Sequence, residues 1–484
     1  MCEKTLATKK TLTPKSRDIS AWYNDLVVQA ELADYGPVKG SMIIRPYGFA
    51  IWQLIQKQLD AMFKEDGVEN AYFPTMIPLD FLHKEKRHIE GFSPELWVVT
   101  HAGGEKLDKP VAVRPTSETI MYDAYSRWIS SWRDLPIKIN QWNNVFRAEK
   151  RTYLFLRTSE FLWQEGHTAH SSFEEAEDMT LRALDWYIKE YETNLAIPVV
   201  AGIKSDMEKF AGAHHTYGVE TLMPDGKALQ SATSHHLSDN FAKVFDIKYQ
   251  DKTGKLRYVE QTSWGLSTRS IGALILLHGD DDGLVIPPKL APVQIVIIPI
   301  SNSPQIEKFI ADLAPKLDQN RIKIDSSDNT PGWKFNQWEL KGAPLRLEIG
   351  DKEVAENVVT IANRLTRQKQ VVQVADLPRF VNRELDSFQN ELFARAKQSV
   401  KSRTYTPASY DEFKQIMAEK RGYLEAFWCE DPSCESSIKT ETKASTRVLP
   451  LEEKAKKGSP AKSKGKCIYC GKPAKNRWLF AQSY

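Results

Sequence analysis

The chain has 484 residues, 41% of them hydrophobic and 27% charged, with a formal net charge of +3 and five cysteines. That length exceeds a single hydrophobic core and predicts about two or three domains, and the near-balanced charge leaves any nucleic-acid binding to local basic surface. No apolar run reaches the roughly 18 residues of a membrane-spanning helix, and the start, MCEKTLATKKTLTPKS, lacks the apolar centre of a secretory signal.

Residues 1–16 read as a loose tail, and the cytoplasm is the expected compartment. Residues 17–285 read as one large α/β unit. Within GFAIWQLIQKQLDAMFKEDG, Trp52, Ile55, Leu59, Met62 and Phe63 recur at helical spacing up to Gly67, and AYFPTMIP (71–78) is expected as a strand. A second helix is expected over 117–132, then strand KINQWNNVFRAE, a short basic turn at 150–153, and a strand through LRTSEFLWQEGH (156–167). Two strands so joined make a hairpin, so this region is expected to be largely antiparallel. A further helix covers 173–194.

Near Pro287-Pro288 the pattern breaks. VQIVIIPI, helical SPQIEKFIADLAPKL, strand RIKIDSS, helical GWKFNQWELKG and strand LRLEIG alternate, which predicts an α/β module over 286–402 with a mostly parallel sheet. A third unit, 403–484, carries four of the cysteines. Its middle, KTETKASTRVLPLEEKAKKGSPAKSKGK, reads as a mobile loop.

Several constellations carry chemistry. Strand alternation in LRTSEFLWQEGH puts Arg157, Ser159, Phe161, Trp163, Glu165 and His167 on one face. That face suits either a polar ligand with a flat ring or the wet side of an antiparallel sheet. Cys429 and Cys434 are separated by four residues and Cys467 and Cys470 by two. Two close pairs suit a structural four-thiolate Zn²⁺ site, against the alternative of unligated small hydrophobes. GxxxxGK[ST] and GxGxxG are both missing, so a nucleotide would be held by side chains, and Arg147, Arg157 and Arg269 are the candidates. In RPTSETI, Thr116, Ser117 and Glu118 suit a helix cap or the reception of a cationic amine. The paired histidines in AHHT and QSATSHHL fit no metal motif, and the Asp280–Asp282 run reads as a solvated loop, with a magnesium role left open.

Taken in order and spacing, VRPTSETI, FRAE, FLRTSEFLWQEGH, KFAG, TSHHL and SWGLSTRSIG closely resemble the prolyl-tRNA synthetases of archaeal and eukaryotic type, over residues 17–484. The resemblance implies a multidomain α/β protein: a class II synthetase antiparallel sheet flanked by helices (17–285), an anticodon-binding domain (286–402) and a small zinc-binding domain (403–484). The 48–67 helix with Pro74 would be the first class motif and the dimer interface, the hairpin from Arg147 to Glu165 the second, and SWGLSTRSIG the third. It implies proline binding by Thr116, Glu118, Arg147, Trp163, Glu165, Phe210, His235, Ser263 and Gly265. ATP would meet Arg147, Glu149, Arg157, Thr158, Phe161, Gln230, Thr233 and Arg269, with Arg147 and Arg269 as the catalytic arginines.

The resemblance further implies Mg²⁺ with ATP, structural Zn²⁺ on Cys429, Cys434, Cys467 and Cys470, tRNA(Pro) as partner, a homodimer, and anticodon reading by Glu339, Arg346 and Lys352. Tyr484, the last residue, would reach toward the reaction centre. Only 97 residues separate Glu165 from Ser263, which leaves no room for an editing insertion. The chain departs from the family where Ser231 and Ser238 replace common glycines, and its 147–157 turn is one residue short. The alternative is a non-catalytic, synthetase-like RNA-binding protein, against which all three arginines count. No cysteine lies between Cys2 and Cys429, which argues against a threonyl enzyme with its zinc in the reaction site.

Overall fold

The computed structural model describes residues 12–84, 96–453 and 465–484. Most of the expected tail, residues 1–11, and the part of the expected loop at 454–464 therefore lie outside the described residues. The end of that tail is not loose. Leu12 is buried, Thr13 bonds the Asp25 carboxylate at 2.7 Å, and the Lys15 ammonium donates to the carbonyls of Leu276 and Gly279. A lysine that finds helix-end carbonyls is tied down, because those acceptors have no intrahelical partner.

Helix α1 (Ile19–Gln29) starts where the Asp18 carboxylate accepts from the N–H groups of Ser20 and Ala21. Helix α2 (Pro46–Glu65) has proline in its first turn and buries Ile51, Trp52, Ile55, Leu59 and Phe63. Of the strand expected over 71–78 only Met76–Pro78 is extended in a sheet, and a short strand, β1 (Glu69–Asn70), precedes it. Pro74 lacks a ladder donor, and the N–H of Phe73 is taken by the Gln141 side chain.

Then follow α3 (Glu118–Trp128), β2 (Ile137–Phe146) and β3 (Glu160–His170). β2 and β3 pair antiparallel over their whole length, from Phe146–Glu160 to Ile137–Ala169. The connection occupies residues 147–159, longer than the expected turn. Tyr153 and Arg157 bond each other's main chain at 2.6 and 2.8 Å, which folds LFLR into a loop of its own. Arg157 and Ser159 thus precede the strand and are not part of its alternation.

Helix α4 (Phe173–Lys189) runs into a π turn, and β4 (Val200–Ile203), β5 (His215–Leu222), β6 (Ala228–Ser238), β7 (Glu260–Ser267) and α5 (Arg269–His278) follow. The residues between Glu165 and Ser263 go into these elements, a short helix Asn240–Phe245, a small hairpin of Lys248–Gln250 with Leu256–Tyr258, and their connections. Phe63, Trp186 and Trp264 meet with ring centroids 5.0–5.4 Å apart and fill the core under the sheet. Each such ring contributes on the order of 2–3 kcal/mol by leaving water.

The second unit holds β8 (Ile295–Pro299), α6 (Pro304–Leu313), β9 (Ile322–Ile324), α7 (Pro331–Leu340), β10 (Leu345–Ile349), α8 (Asp351–Glu356), β11 (Val358–Asn363), β12 (Lys369–Gln373) and α9 (Leu377–Lys401). Its sheet order is β9-β8-β10-β11-β12. Only β11 runs against the others, so the sheet is mixed with one reversed strand.

The third unit holds β13 (Thr404–Tyr405), α10 (Tyr410–Glu419), β14 (Tyr423–Trp428), α11 (Pro432–Thr442), β15 (Ala444–Pro450) and β16 (Asn476–Gln482). Its strands continue the first sheet into eleven, in the order β13-β14-β16-β15-β4-β5-β6-β7-β3-β2-β1. The segment expected as a mobile loop therefore begins with the end of α11 and a buried strand, β15. Its composition misleads because Arg447 is buried in an ion pair with Glu220, 2.8 Å away, instead of facing water.

Candidate active site

The alternation of β3 aims Phe161, Trp163, Glu165 and His167 into one cavity of about 210 Å³. That face is turned into a cavity and is not the open, wet side of the sheet. Gly166 sits between Glu165 and His167 on the opposite face, where a Cβ would come within 2.2 Å of the Trp264 ring. The Arg147 guanidinium lies over Phe161 and Trp163 at 5.4 and 5.6 Å and donates to the Pro115 carbonyl at 3.1 Å. Arg269, at the start of α5, donates to the carbonyls of Leu156 and Gln230. Its burial and the neighbouring Arg147 and Arg157 lower its pKa. The cavity therefore has a cationic side prepared for anionic oxygen.

The opposite side is acidic. Thr116 donates its hydroxyl to Glu118, and both are buried. Ser117 occupies the N-cap position of α3, yet its hydroxyl bonds Glu165 instead of a helix N–H. Glu165 also accepts from Ser117 N at 3.1 Å, Gln141 Nε2 at 3.1 Å and Asn143 Nδ2 at 2.7 Å. His167 Nε2 stands 3.1 Å away from it. Burial works against the Glu165 charge, but His167 and these donors outweigh it and lower its pKa. Burial likewise opposes a charge on His167, and Glu165 and Glu118 overcome it and raise its pKa. The two side chains hold each other in place at hydrogen-bond distance.

Phe210 and His235 close another wall, with rings 4.5 Å apart. His235 bonds Thr216 at 2.9 Å, and its pKa is pushed down to about 3 by burial and then by His167 and Lys204, so the ring is neutral. Gln230 and Thr233 from β6 and Ser263 and Gly265 from β7 complete the lining. Three sequence candidates lie outside it. Arg157 pairs with Glu149 at 3.1 Å, and Thr158 donates to the Glu160 carbonyl at 2.7 Å. Arg157 instead lines an adjoining cavity of about 620 Å³ with Gln230, Arg269 and Tyr484. Tyr484 is held there by its N–H on the Ala228 carbonyl.

The sequence reading missed Glu208, Thr216, Trp264 and Ser267, all of which line the main cavity. Trp264 lies between Ser263 and Gly265, where a period of two turns its ring to the core, and Thr216 is brought in only by its pairing with His235 across strands, so neither carried a signal in the sequence. Glu208 comes from a loop and carries none.

Elsewhere, His214, His215 and His236 pack ring to ring, with His215 2.7 Å from Glu177. The Asp280–Asp282 run is not merely solvated. Asp280 pairs with Arg364 and Arg367, Asp282 pairs with Arg367, and Asp281 accepts from Lys15 N. Asp280 and Asp282 face protein cations and Asp281 a main-chain amide, so the run is tied into the fold. Cys429, Cys434, Cys467 and Cys470 bring their sulfurs within 4.8 Å of one another, with Cys429 3.6 Å from Cys434 and 3.7 Å from Cys470. Thiolates at about 2.3 Å around a tetrahedral ion stand roughly 3.8 Å apart, so the set fits Zn²⁺. Glu339 and Arg346 line a small cavity with Trp338, Arg364 and Lys369, while Lys352 lies outside it on α8.

Three family models match the chain: the tRNA synthetase class II core domain (G, H, P, S and T) over residues 101–278, the anticodon binding domain over 294–384, and the prolyl-tRNA synthetase C-terminal domain over 410–484. A proline–tRNA ligase of Natranaerobius thermophilus is 49% identical, covering 96% of this chain and 95% of that protein. One from Clostridium novyi is 48% identical, covering 98% of each. Among solved structures, a Cryptosporidium parvum prolyl-tRNA synthetase complexed with halofuginone and AMPPNP superposes with a TM-score of 0.92 at 41% identity, over 98% of this chain and 99% of that one. With all three family models in place and relatives alike over nearly the whole length, the chain belongs to the prolyl-tRNA synthetases and acts as a proline–tRNA ligase.

Proposed function

We propose that both substrates of the ligase meet in the cavity between the Arg147 and Thr116–Glu118 sides, with the following division of labour. Glu118 and Thr116 receive the imino group of proline, and Trp163, Phe210 and His235 enclose its ring. Glu165, with all its contacts turned toward protein, holds the α3 end of this wall in place. Ser263 and Gly265 leave room for so small a substrate. Arg147 lies between the proline carboxylate and the α-phosphate, Phe161 stacks on adenine, and Gln230, Thr233 and Arg269 meet the nucleotide. Arg157 acts from the adjoining cavity on the far end of ATP, with Glu149 paired to it and Thr158 next in the chain. The single observation that carries this reading is that the Arg147 guanidinium, over Phe161 and Trp163, lines one cavity with the buried Thr116–Glu118 pair.

The chemistry needs orientation and charge more than acid–base groups. The proline carboxylate oxygen forms a bond to the α-phosphorus while the α–β anhydride bond breaks and pyrophosphate leaves. The terminal ribose hydroxyl of tRNA(Pro) then attacks the acyl carbon, loses its proton, and releases AMP. Mg²⁺ bound with ATP supplies charge neutralisation on the phosphates. Arg147 and Arg269, both fixed by main-chain carbonyls, stabilise the charge on the phosphorus without having to reorganise.

Three further roles belong to this reading. Cys429, Cys434, Cys467 and Cys470 hold a structural Zn²⁺ with no open position. Glu339 and Arg346 read anticodon bases, with Lys352 assisting from α8, since arginine suits the acceptor edge of guanine. The protein works as a homodimer in the cytoplasm. Support for the dimer comes from Tyr35, Val38, Ile43, Phe49, Tyr72 and Met76, large apolar side chains left exposed in and around α2.

The test is ATP–pyrophosphate exchange with proline, alanine and threonine, alongside Arg147→Ala. Exchange is expected with proline and lost in the variant. Proline exchange that survives Arg147→Ala would remove the arginine from the reaction.

A further inference from the structure

One buried arginine outside the reaction cavity touches both the Glu339–Arg346 cavity and the catalytic unit. Arg364, just after β11, is 6% exposed and lines that cavity. Its Nε donates to the Glu339 carbonyl at 3.1 Å, and its two terminal nitrogens fork onto the Asp280 carboxylate at 2.9 and 2.6 Å. Asp280 stands two residues beyond α5, the helix that opens with Arg269. Its carbonyl accepts from Trp22 Nε1 at 3.0 Å.

Other contacts close the same junction. Leu284 N donates to the Leu340 carbonyl, the Tyr47 hydroxyl donates to the Lys341 carbonyl, and Lys341 pairs with Glu31. The backbones pass so closely that a Cβ on Gly283 would lie 2.4 Å from the Leu340 Cα. The end of α7, which carries Glu339, therefore cannot shift without moving the segment that follows α5. Units joined by ordinary polar interfaces move relative to each other. A buried guanidinium forked onto a carboxylate holds one geometry and resists such movement.

We infer that the Arg364–Asp280 pair is a positioning contact that couples anticodon occupancy of the Glu339–Arg346 cavity to the placement of α5 and Arg269 for transfer to tRNA. This rests on the anticodon reading proposed above for that cavity. Asp280 lines neither the cavity around Arg147 nor the Glu339–Arg346 cavity. Arg367 also reaches it, at 3.4 Å, but from an exposed position.

The experiment uses the full-length enzyme with Asp280→Asn, Asp280→Glu and Arg346→Ala, on tRNA(Pro) and on the same tRNA with one anticodon base replaced. For Asp280→Asn, proline-dependent ATP–pyrophosphate exchange without tRNA should stay within about twofold of the parent, and so should the KM for tRNA. The single-turnover transfer rate should fall roughly 5- to 30-fold, with little further loss on the altered tRNA. Asp280→Glu should restore most of that rate. An unchanged transfer rate, an equal fall in exchange, or losses that simply multiply would overturn the coupling. If neither Arg346→Ala nor the base replacement affects tRNA use, the anticodon reading falls and the coupling with it. If Arg346→Ala raises the tRNA KM while Asp280→Asn transfers normally, the coupling alone falls.

Discussion

The Glu165 carboxylate accepts the main-chain N–H of Ser117 at 3.1 Å, so a residue of β3 anchors the first turn of α3 across 48 positions of chain. Thr116 and Glu118 flank that anchor, and their placement depends on it. Glu165→Gln turns one acceptor into a donor that faces Ser117, Gln141 and Asn143. The expected result is a loss of about 1–3 kcal/mol of stability and a proline KM raised roughly tenfold or more. Thermal unfolding and exchange kinetics at varied proline read both, and an unchanged KM would detach Glu165 from the proline wall.

The Glu165–His167 pair makes stability depend on pH in a definite direction. The raised pKa of His167 adds stability that is fully present below its ordinary value of about 6.5 and is lost as pH rises through the folded value. The lowered pKa of Glu165 adds stability present above about 4.3 and lost as pH falls through the folded value. Both contributions are complete between those limits. His167→Asn is expected to flatten the alkaline decline of Tm measured across about pH 5 to 9. A decline as steep as the parent's would place its origin elsewhere.

Ser231 and Ser238 are the two positions where the family resemblance implies glycine, and glycine at each is expected to act in opposite directions. Ser238 has φ 53 at a bulge in β6, the left-handed region that costs a side-chain-bearing residue about 1–2 kcal/mol. Ser238→Gly should therefore stabilise by about 0.5–1 kcal/mol. Ser231 is buried, and its hydroxyl bonds Thr221 at 2.6 Å, so Ser231→Gly should cost about 1–2 kcal/mol. Paired thermal melts decide the signs.

Lys204, Glu220 and Arg447 form a buried ionic group that joins β4, β5 and β15, with Glu220 2.6 Å from the lysine and 2.8 Å from the arginine. Glu220→Ala leaves two cations in the interior and should cost about 3–5 kcal/mol. Arg447 also donates to the Ser483 hydroxyl at 2.6 Å, beside Tyr484. Hydrogen exchange should accordingly quicken over 476–484 in the variant. Protection equal to the parent's would show that the pair does not hold the C-terminal end.

Cys434 is buried among the four sulfurs. Cys434→Ser is expected to lower bound zinc from about one per chain to near none and to destabilise the C-terminal unit by several kcal/mol. Elemental analysis with thermal unfolding checks both, and full zinc retention in the variant would reject the four-thiolate assignment.

What the sequence determined by itself was local. The face carrying Phe161, Trp163, Glu165 and His167 follows from a period of two, and the grouping of the cysteines follows from their spacing. α2 follows from a period near 3.6, because side-chain direction within one element depends only on its own backbone. The sequence did not reveal that Arg157 leaves the strand for a loop, that β15 is buried, or that Asp280 is an ion-pair partner. Arg157 is turned out by its own main-chain bonds with Tyr153, whereas the other two depend on a residue far along the chain, Glu220 for Arg447 and Arg364 for Asp280. Charged residues at those positions look solvated in one dimension. Only the tertiary structure, by fixing sheet order and the junction between units, supplies the opposite charge that permits their burial.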